Sequence, residues 1–435
     1  MSERKRAEID FRQNITIALL SVLAAALFFQ TELFHLGWEM FSRDFALSEP
    51  SAPEQQESAS NALTLPIRFA ATGTHGDAYG RYVIVNMSTG SRSFRTVRRL
   101  FGNALQEARP FEEISREEFL SALRGAALYL DFLTPLPMSF LAGLTNAKSS
   151  DERDIRSMAL ARDGSGVKLY LWNGGETYSR RAAAIPRREL DEIISHYELG
   201  NGAFASDLYA TDSAYRNIAP LSLFQEELPA LPAYTVVSGL PDTEQLLTAF
   251  LFNPLTKSRY TEANGTEVVM EGARSIRVRT NGNIYYQDSG RGDMRIESAG
   301  ERPTGWEAVT ECAALLNKIL VPLGCAPVRP LEARREEDAM ILRFGYALDG
   351  VPVFQSDGGF AAEVTLERKN IISLELRPRR YTATNTDSLL LPLSQACGIA
   401  GLYPGAELCL GYQDAGGGRM SAQWFSSVSA ESNRP

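Results

Sequence analysis

The chain has 435 residues, 44% hydrophobic and 22% charged, a balance that excludes wholesale disorder and leaves room for two or three folded domains. Its net charge of -9 argues against a nucleic-acid partner, which needs a basic face, and against polybasic docking on anionic lipid. The four cysteines, Cys312, Cys325, Cys397 and Cys409, show no C-x2-C spacing, so no zinc site is expected; outside a membrane they are either disulfide-bonded, in one of three pairings, or buried thiols.

In chain order, residues 1–13 form a short cytoplasmic N-terminus carrying Arg4, Lys5, Arg6 and Arg12. Residues 15–29, ITIALLSVLAAALFF, hold no charge and are bracketed by Asn14 and Gln30. As a helix, 14–31 would be about 27 Å long at roughly 1.5 Å per residue, close to a hydrocarbon thickness of about 30 Å. Phe28, Phe29, Phe34 and Trp38 follow at the outer end, where aromatic rings favour the interface. The next cation is Arg43, so the positive-inside bias places everything beyond residue 40 outside the cell membrane. A cleaved signal peptide wants a small-x-small site just after its apolar run. Here Ala24, Ala25 and Ala26 lie inside the run, so it is read as an uncleaved, single-pass anchor. Ala18, Ser21 and Ala25 share one helical face, and small residues four apart let a second membrane helix approach closely. They are the candidate contact site, against the plain alternative that alanine is common in any anchor.

Residues 32–61 are a juxtamembrane segment and stalk; 46–61, ALSEPSAPEQQESASN, has no large apolar side chain after Leu47. An N-terminal α+β domain is expected over 62–218. Strands are predicted at 65–70, 81–85 and 127–132. A helix over 93–108 carries the stripe Phe94, Val97, Leu100, Phe101 and Leu105. Ser115 and Glu118 form a capping-box pattern opening a second helix through Leu123. Strands 155–161 and 167–172 flank the hairpin signal DGSG at 163–166, a third follows at 176–180, and a helix covers 186–197. Residues 219–241 hold four prolines and read as a linker that resists regular structure. Then one pattern occurs twice, a helix followed by antiparallel strands. A central domain, 242–300, has a helix over 243–252 and strands 275–279 and 284–287 about the turn TNGN. A C-terminal domain, 301–428, has a helix over 306–323 and strands 339–347, 351–355, 361–367 and 371–377. It closes with a helix near 389–400 and strands 407–413 and 419–425, before a tail at 429–435. The fold class is α+β, an extracytoplasmic ectodomain of antiparallel sheets each covered by helices, with the other face of each meander left open.

Nothing in this pattern supports catalysis. The three histidines, His35, His75 and His196, have no metal-ligand spacing, and no P-loop, G-x-S-x-G, H-E-x-x-H or G-x-G-x-x-G run exists. The pairs Glu112/Glu113, Glu226/Glu227 and Glu336/Glu337 lie in polar stretches and read as solvated. The RGD run at 291–293 reads as a turn. No cofactor is expected.

Several stretches resemble the YycH family and its relative YycI, auxiliary proteins of the WalK (YycG) histidine kinase in Gram-positive bacteria. ISREEF at 114–119, ALYLDF at 127–132 and TPLP at 134–137 are similar to that family's helix, strand and proline turn. LFNP at 251–254, RYT at 259–261 and NGNIYY at 281–286 resemble its central domain, and LGY at 410–412 with Trp424 its closing strand pair. The resemblance implies a membrane-anchored, non-enzymatic regulator of a two-component sensor kinase in cell-wall homeostasis. The implied partners are a WalK-type kinase and a YycI-like protein. The alternative is a non-catalytic binding module for a cell-envelope polymer or exported peptide, suggested by the open sheet faces and by Tyr285, Tyr286, Tyr412 and Trp424.

Overall fold

The computed structural model describes residues 65–427 except 66, 76–77, 108, 165, 239–242, 254, 256 and 290–293. The expected anchor at 14–31, the stalk, the RGD run and Ala18, Ser21 and Ala25 lie outside the described residues. No helix among the described residues is long and apolar enough to cross a membrane.

The first half is built on β1 (Ile67–His75), β2 (Ala78–Met87), α1 (Arg92–Gln106), β3 (Glu112–Ile114), α2 (Arg116–Ala122), β4 (Ala127–Pro137), α3 (Met138–Leu144), β5 (Asp154–Asp163), β6 (Gly166–Trp172), β7 (Tyr178–Ala183) and α4 (Arg187–Ser195). The strands form one antiparallel sheet in the order β2-β1-β4-β5-β6-β7-β3. Alternation decides its two faces. Phe69, Leu130, Met158, Leu171 and Arg181 share one face, reached by α4 and α1: Tyr197 packs on Phe69, and Arg181 donates to the carbonyls of Ala104 and Arg109. Arg68, Tyr129, Asp131, Ser157 and Tyr170 share the other, where Phe119 of α2 meets Tyr170. The capping box is present as expected, with Glu118 N donating to Ser115 Oγ at 3.1 Å and Ser115 N to Glu118 Oε2 at 3.0 Å.

A short bridge follows: β8 (Gly202–Phe204), α5 (Ala205–Leu208), a 3-10 turn (Ser213–Tyr215), β9 (Leu223–Gln225) and β10 (Pro232–Ser238). The proline-rich stretch is therefore not structureless. Pro232 occupies the first residue of β10, where the missing N–H costs no interior ladder bond, and the run Tyr234-Thr-Val-Val237 behind it is strand-forming.

The second half comprises α6 (Thr243–Ala249), β11 (Ser258–Thr261), β12 (Glu267–Glu271), β13 (Arg274–Val278), β14 (Ile284–Asp288), α7 (Gly305–Leu320), β15 (Val328–Glu336), β16 (Ala339–Leu348), β17 (Val351–Gln355), β18 (Ala362–Glu367), β19 (Asn370–Leu376), β20 (Arg379–Asp387), α8 (Leu393–Ala400), β21 (Glu407–Asp414), β22 (Gly418–Met420) and β23 (Ala422–Ser427). The two helix-plus-meander units share one 11-stranded sheet, because β14 pairs with β19 from Ile284↔Leu376 to Gln287↔Ser373. One face, with Ile276, Tyr286, Leu342, Phe344, Val364 and Leu374, is buried. The other carries the part-exposed Arg277, Tyr285, Arg343, Glu363 and Glu375, although Val268 and Ala347 on the same face are buried. Polarity hid β15 and β20 from sequence reading: ARRE and TATNTD alternate no apolar residues, and both strands hold position by pairing, β15 with β16 and β20 with β10.

The halves meet where α3 packs on α7. Phe140 lies 5.7 Å from the Trp306 ring, and Gly305 N donates to Glu152 Oε1 at 3.2 Å. A Cβ on Gly143 would strike the Trp306 indole. Gly143→Ala is therefore expected to cost about 1–3 kcal/mol through overpacking, read as a lower urea midpoint. An unchanged midpoint would mean the contact yields freely.

Candidate functional site

Residues 388–406, from Ser388 to Ala406, hold no charged side chain, although the chain is 22% charged. Within them lies α8. Its inner face is made of small residues, Ala396, Cys397 and Ala400, which pack with Ile218, Phe224, Ala406 and Leu408 in a core of their own. Its outer side and flanks carry the large residues. Leu389 is 97% exposed and Leu402 75%, and Leu391, Ile399 and Tyr403 are exposed with them. A surface helix ordinarily turns its apolar stripe inward and polar residues outward. Here Ile399 faces solvent beside Ser394, Gln395 and Gly398, Leu393 is half-buried against the inner core, and the other exposed large residues lie on the flanks of the helix.

This surface is held firmly. Trp424 Nε1 donates to the carbonyl of Leu391 at 3.0 Å, and Ala422 N to Ser388 Oγ at 2.9 Å. At the far end, Asn217 Nδ2 donates to Gly401 O at 2.8 Å, and Gly405 N to Asn217 O at 2.8 Å. Exposed leucines on a tied-down backbone form a preformed surface rather than a loop end awaiting collapse.

Directly after it, β21 is pinned to the first sheet by a charged quartet. Arg68 Nε donates to Asp131 Oδ2 at 3.0 Å, and Arg156 Nε to Asp131 Oδ1 at 3.3 Å. Both arginines also pair with Glu407, and Arg68 Nη1 reaches Leu408 O at 3.4 Å. Asp131 and Arg68 are buried. Burial alone would raise both carboxyls, but Arg156 and Arg68 outweigh it and hold Asp131 and Glu407 below the usual carboxylate range. The quartet was not anticipated from the sequence. Its signal was a charge inside an apolar strand, as in ALYLDF.

The open face of the large sheet carries a second feature. Arg343 donates to Glu332 at 2.8 Å and to Glu363 at 2.7 Å. Arg377 donates to Glu375 at 3.0 Å and to Asp357 at 2.7 Å, and Tyr285 Oη donates to Glu375 at 3.3 Å. At its end, Asp357, Gly358, Gly359, Phe360, Glu363, Glu375 and Arg377 line a cleft of about 290 Å³. Its charges are satisfied within the protein.

The residues singled out earlier are dispersed. His35 lies outside the described residues, His75 ends β1 and His196 caps α4. Glu112 and Glu113 lie on β3 at the edge of the first sheet, and Glu226, Glu227, Glu336 and Glu337 are exposed. Tyr286 and Tyr412 belong to the core. All four cysteines are free thiols; burial pushes Cys325 and Cys409 up to about 11 and Cys397 up to about 12. Among the described residues, no group of three or more His, Cys, Asp or Glu is placed to hold a metal. No family model matches the chain, and no curated protein or solved structure matches it at a significant level.

Proposed function

We propose that this chain is a membrane-anchored regulator that works by protein–protein contact outside the cell membrane, and that its partner is a sensor histidine kinase of the WalK type. The observation that carries the contact is the set of exposed apolar side chains on and around α8, whose own segment, 388–406, holds no charge, although Asp212 of the adjoining 3-10 turn is close enough to act on Cys397. Exposed large apolar side chains gathered within one short segment of a folded domain point to an interaction surface. The absence of flanking lysines and arginines within 388–406 favours an apolar protein face over anionic lipid. The kinase assignment rests on the resemblance to YycH and YycI and on the anchor read at 14–31. Mechanistically, a contact shifts a kinase only if it binds one of its conformations better than the other.

The test is recovery of the full-length chain from its native membrane after mild crosslinking, read by mass spectrometry. A histidine kinase among the crosslinked partners is the expected result; repeated recovery without one sinks the assignment. Within the anchor, Ser21→Leu or Ala25→Leu should weaken control of the kinase's target genes several-fold at matched membrane levels, while Leu19→Ala and Leu23→Ala change little. Wild-type behaviour of the first two would remove the membrane helix from the contact.

A second reading, a binding module for an envelope polymer or exported peptide, is favoured by the cleft beside Phe360 and Arg377. It expects a rise in melting temperature on adding wall fragments, abolished by Arg377→Ala. No rise with any fragment would count against it.

A further inference from the structure

The 11-stranded sheet ends at β11, whose outer edge pairs with no described strand. All four residues of β11 are exposed. Free edges are normally blunted by charge, and Lys257 and Arg259 stand here. Both cations are tied to the chain's own acids, Lys257 to Glu244 at 2.8 Å and Arg259 to Glu244 at 3.3 Å and to Glu267. The edge thus presents its backbone groups with its cations already neutralised. On its polar-face side it also presents apolar surface. Tyr260 is 47% exposed, and Met270, diagonal to it across β12, is exposed as well.

We propose that this edge pairs antiparallel with the same edge of a second copy, about a twofold axis through Tyr260. A twofold axis perpendicular to the sheet leaves each side chain on its own face, and directly opposed residues must share a face. The pairing is therefore centred on a residue, not between two. Centring on Arg259 sets like charges directly opposite, which is destabilising. Centring on Tyr260 sets Tyr260 against Tyr260, Arg259 against Thr261 and Ser258 against Glu262. That gives an aromatic pair flanked by polar pairs with no like charges opposed, and Met270 of each copy extends the apolar strip. The strand's own sequence supplies its complement, which is what selects a second copy over an unrelated extended peptide.

The experiment is disulfide trapping in the purified full-length chain, with the wild type and its four thiols as background. In this register two copies of residue 260 lie about 4.5–5.5 Å apart at Cα, within disulfide range, whereas two copies of residue 259 are offset by two residues and lie roughly 8 Å apart, beyond it. Tyr260→Cys should shift most of the chain on mild oxidation to twice its 47.9 kDa, and Arg259→Cys should not. Arg259→Cys mixed with Thr261→Cys should give the dimer that neither gives alone. Sedimentation should show the wild type as a dimer and Tyr260→Asp as a monomer with an unchanged melting temperature. The proposal is overturned by self-trapping of Arg259→Cys, by trapping at neither position, by a trapped band of another mass, or by a wild type that sediments as a monomer.

Discussion

Asp131→Ala is expected to cost the folded state about 3–5 kcal/mol, the loss typical when one member of a buried ion pair is removed. Asp131 is fully buried and accepts from both Arg68 and Arg156. Without it, two guanidiniums remain at the junction of the first sheet and β21 with only Glu407 between them. Glu407→Ala should cost less, because Glu407 retains some solvent contact at 14% exposure. The same quartet sets a pH dependence. Asp131 and Glu407 sit below their ordinary range, so their contribution is complete above the unfolded carboxylate pKa of about 4 and is lost as pH falls through the folded values. Urea unfolding of the full-length chain at pH 7 and at pH 3 checks both statements. A loss under about 1 kcal/mol for Asp131→Ala would mean that relaxation or water rehydrates the arginines.

The double variant Ile399→Glu/Leu402→Glu is expected to abolish recovery of the crosslinked partner while leaving the melting temperature unchanged. Both side chains are exposed and point away from the small-residue face that packs on Phe224 and Ile218. Surface substitutions away from the core usually alter stability by less than about 0.5 kcal/mol. Truncating a central contact residue commonly costs about 2–4 kcal/mol of binding, roughly a 30- to 1,000-fold loss of affinity, and a buried carboxylate adds a desolvation penalty. As a control, Ala396→Glu on the inner face should unfold the local core instead. If the outer double variant recovers the partner as well as wild type does, the α8 surface is not the contact.

Much of this architecture was legible from periodicity. The stripe of α1, the capping box of α2, the hairpin of β5 and β6, and the alternation of β18 each follow from residues that obey one rule locally. What escaped depended on partners far along the chain. β20 is a polar strand and β15 turns polar in its second half, so no sustained apolar alternation marks them. β10 opens on a proline that is harmless only at a strand's first position. α8 was readable as a helix, but the exposure of Ile399 and of the leucines on its flanks was not. Small and large apolar residues look alike in a hydrophobic pattern, and only packing shows which face is inward. The anchor residues Ala18, Ser21 and Ala25 lie outside the described structure, so that part of the reading rests on sequence alone.

The quartet also fixes an order of events during synthesis. Arg68 and Glu407 are 339 residues apart. At about 5–20 residues per second, the ribosome needs roughly 17–70 s to travel from one to the other. Arg156, made 251 residues before Glu407, shares the single carboxylate of Asp131 with Arg68 for roughly the last 13–50 s of that interval, while their end of the face still lacks β21. The first sheet can form its ladder early, yet its charged face stays hydrated until the last strands emerge. A chain halted before β21 would be a substrate for chaperones and proteases even with its N-terminal core in place.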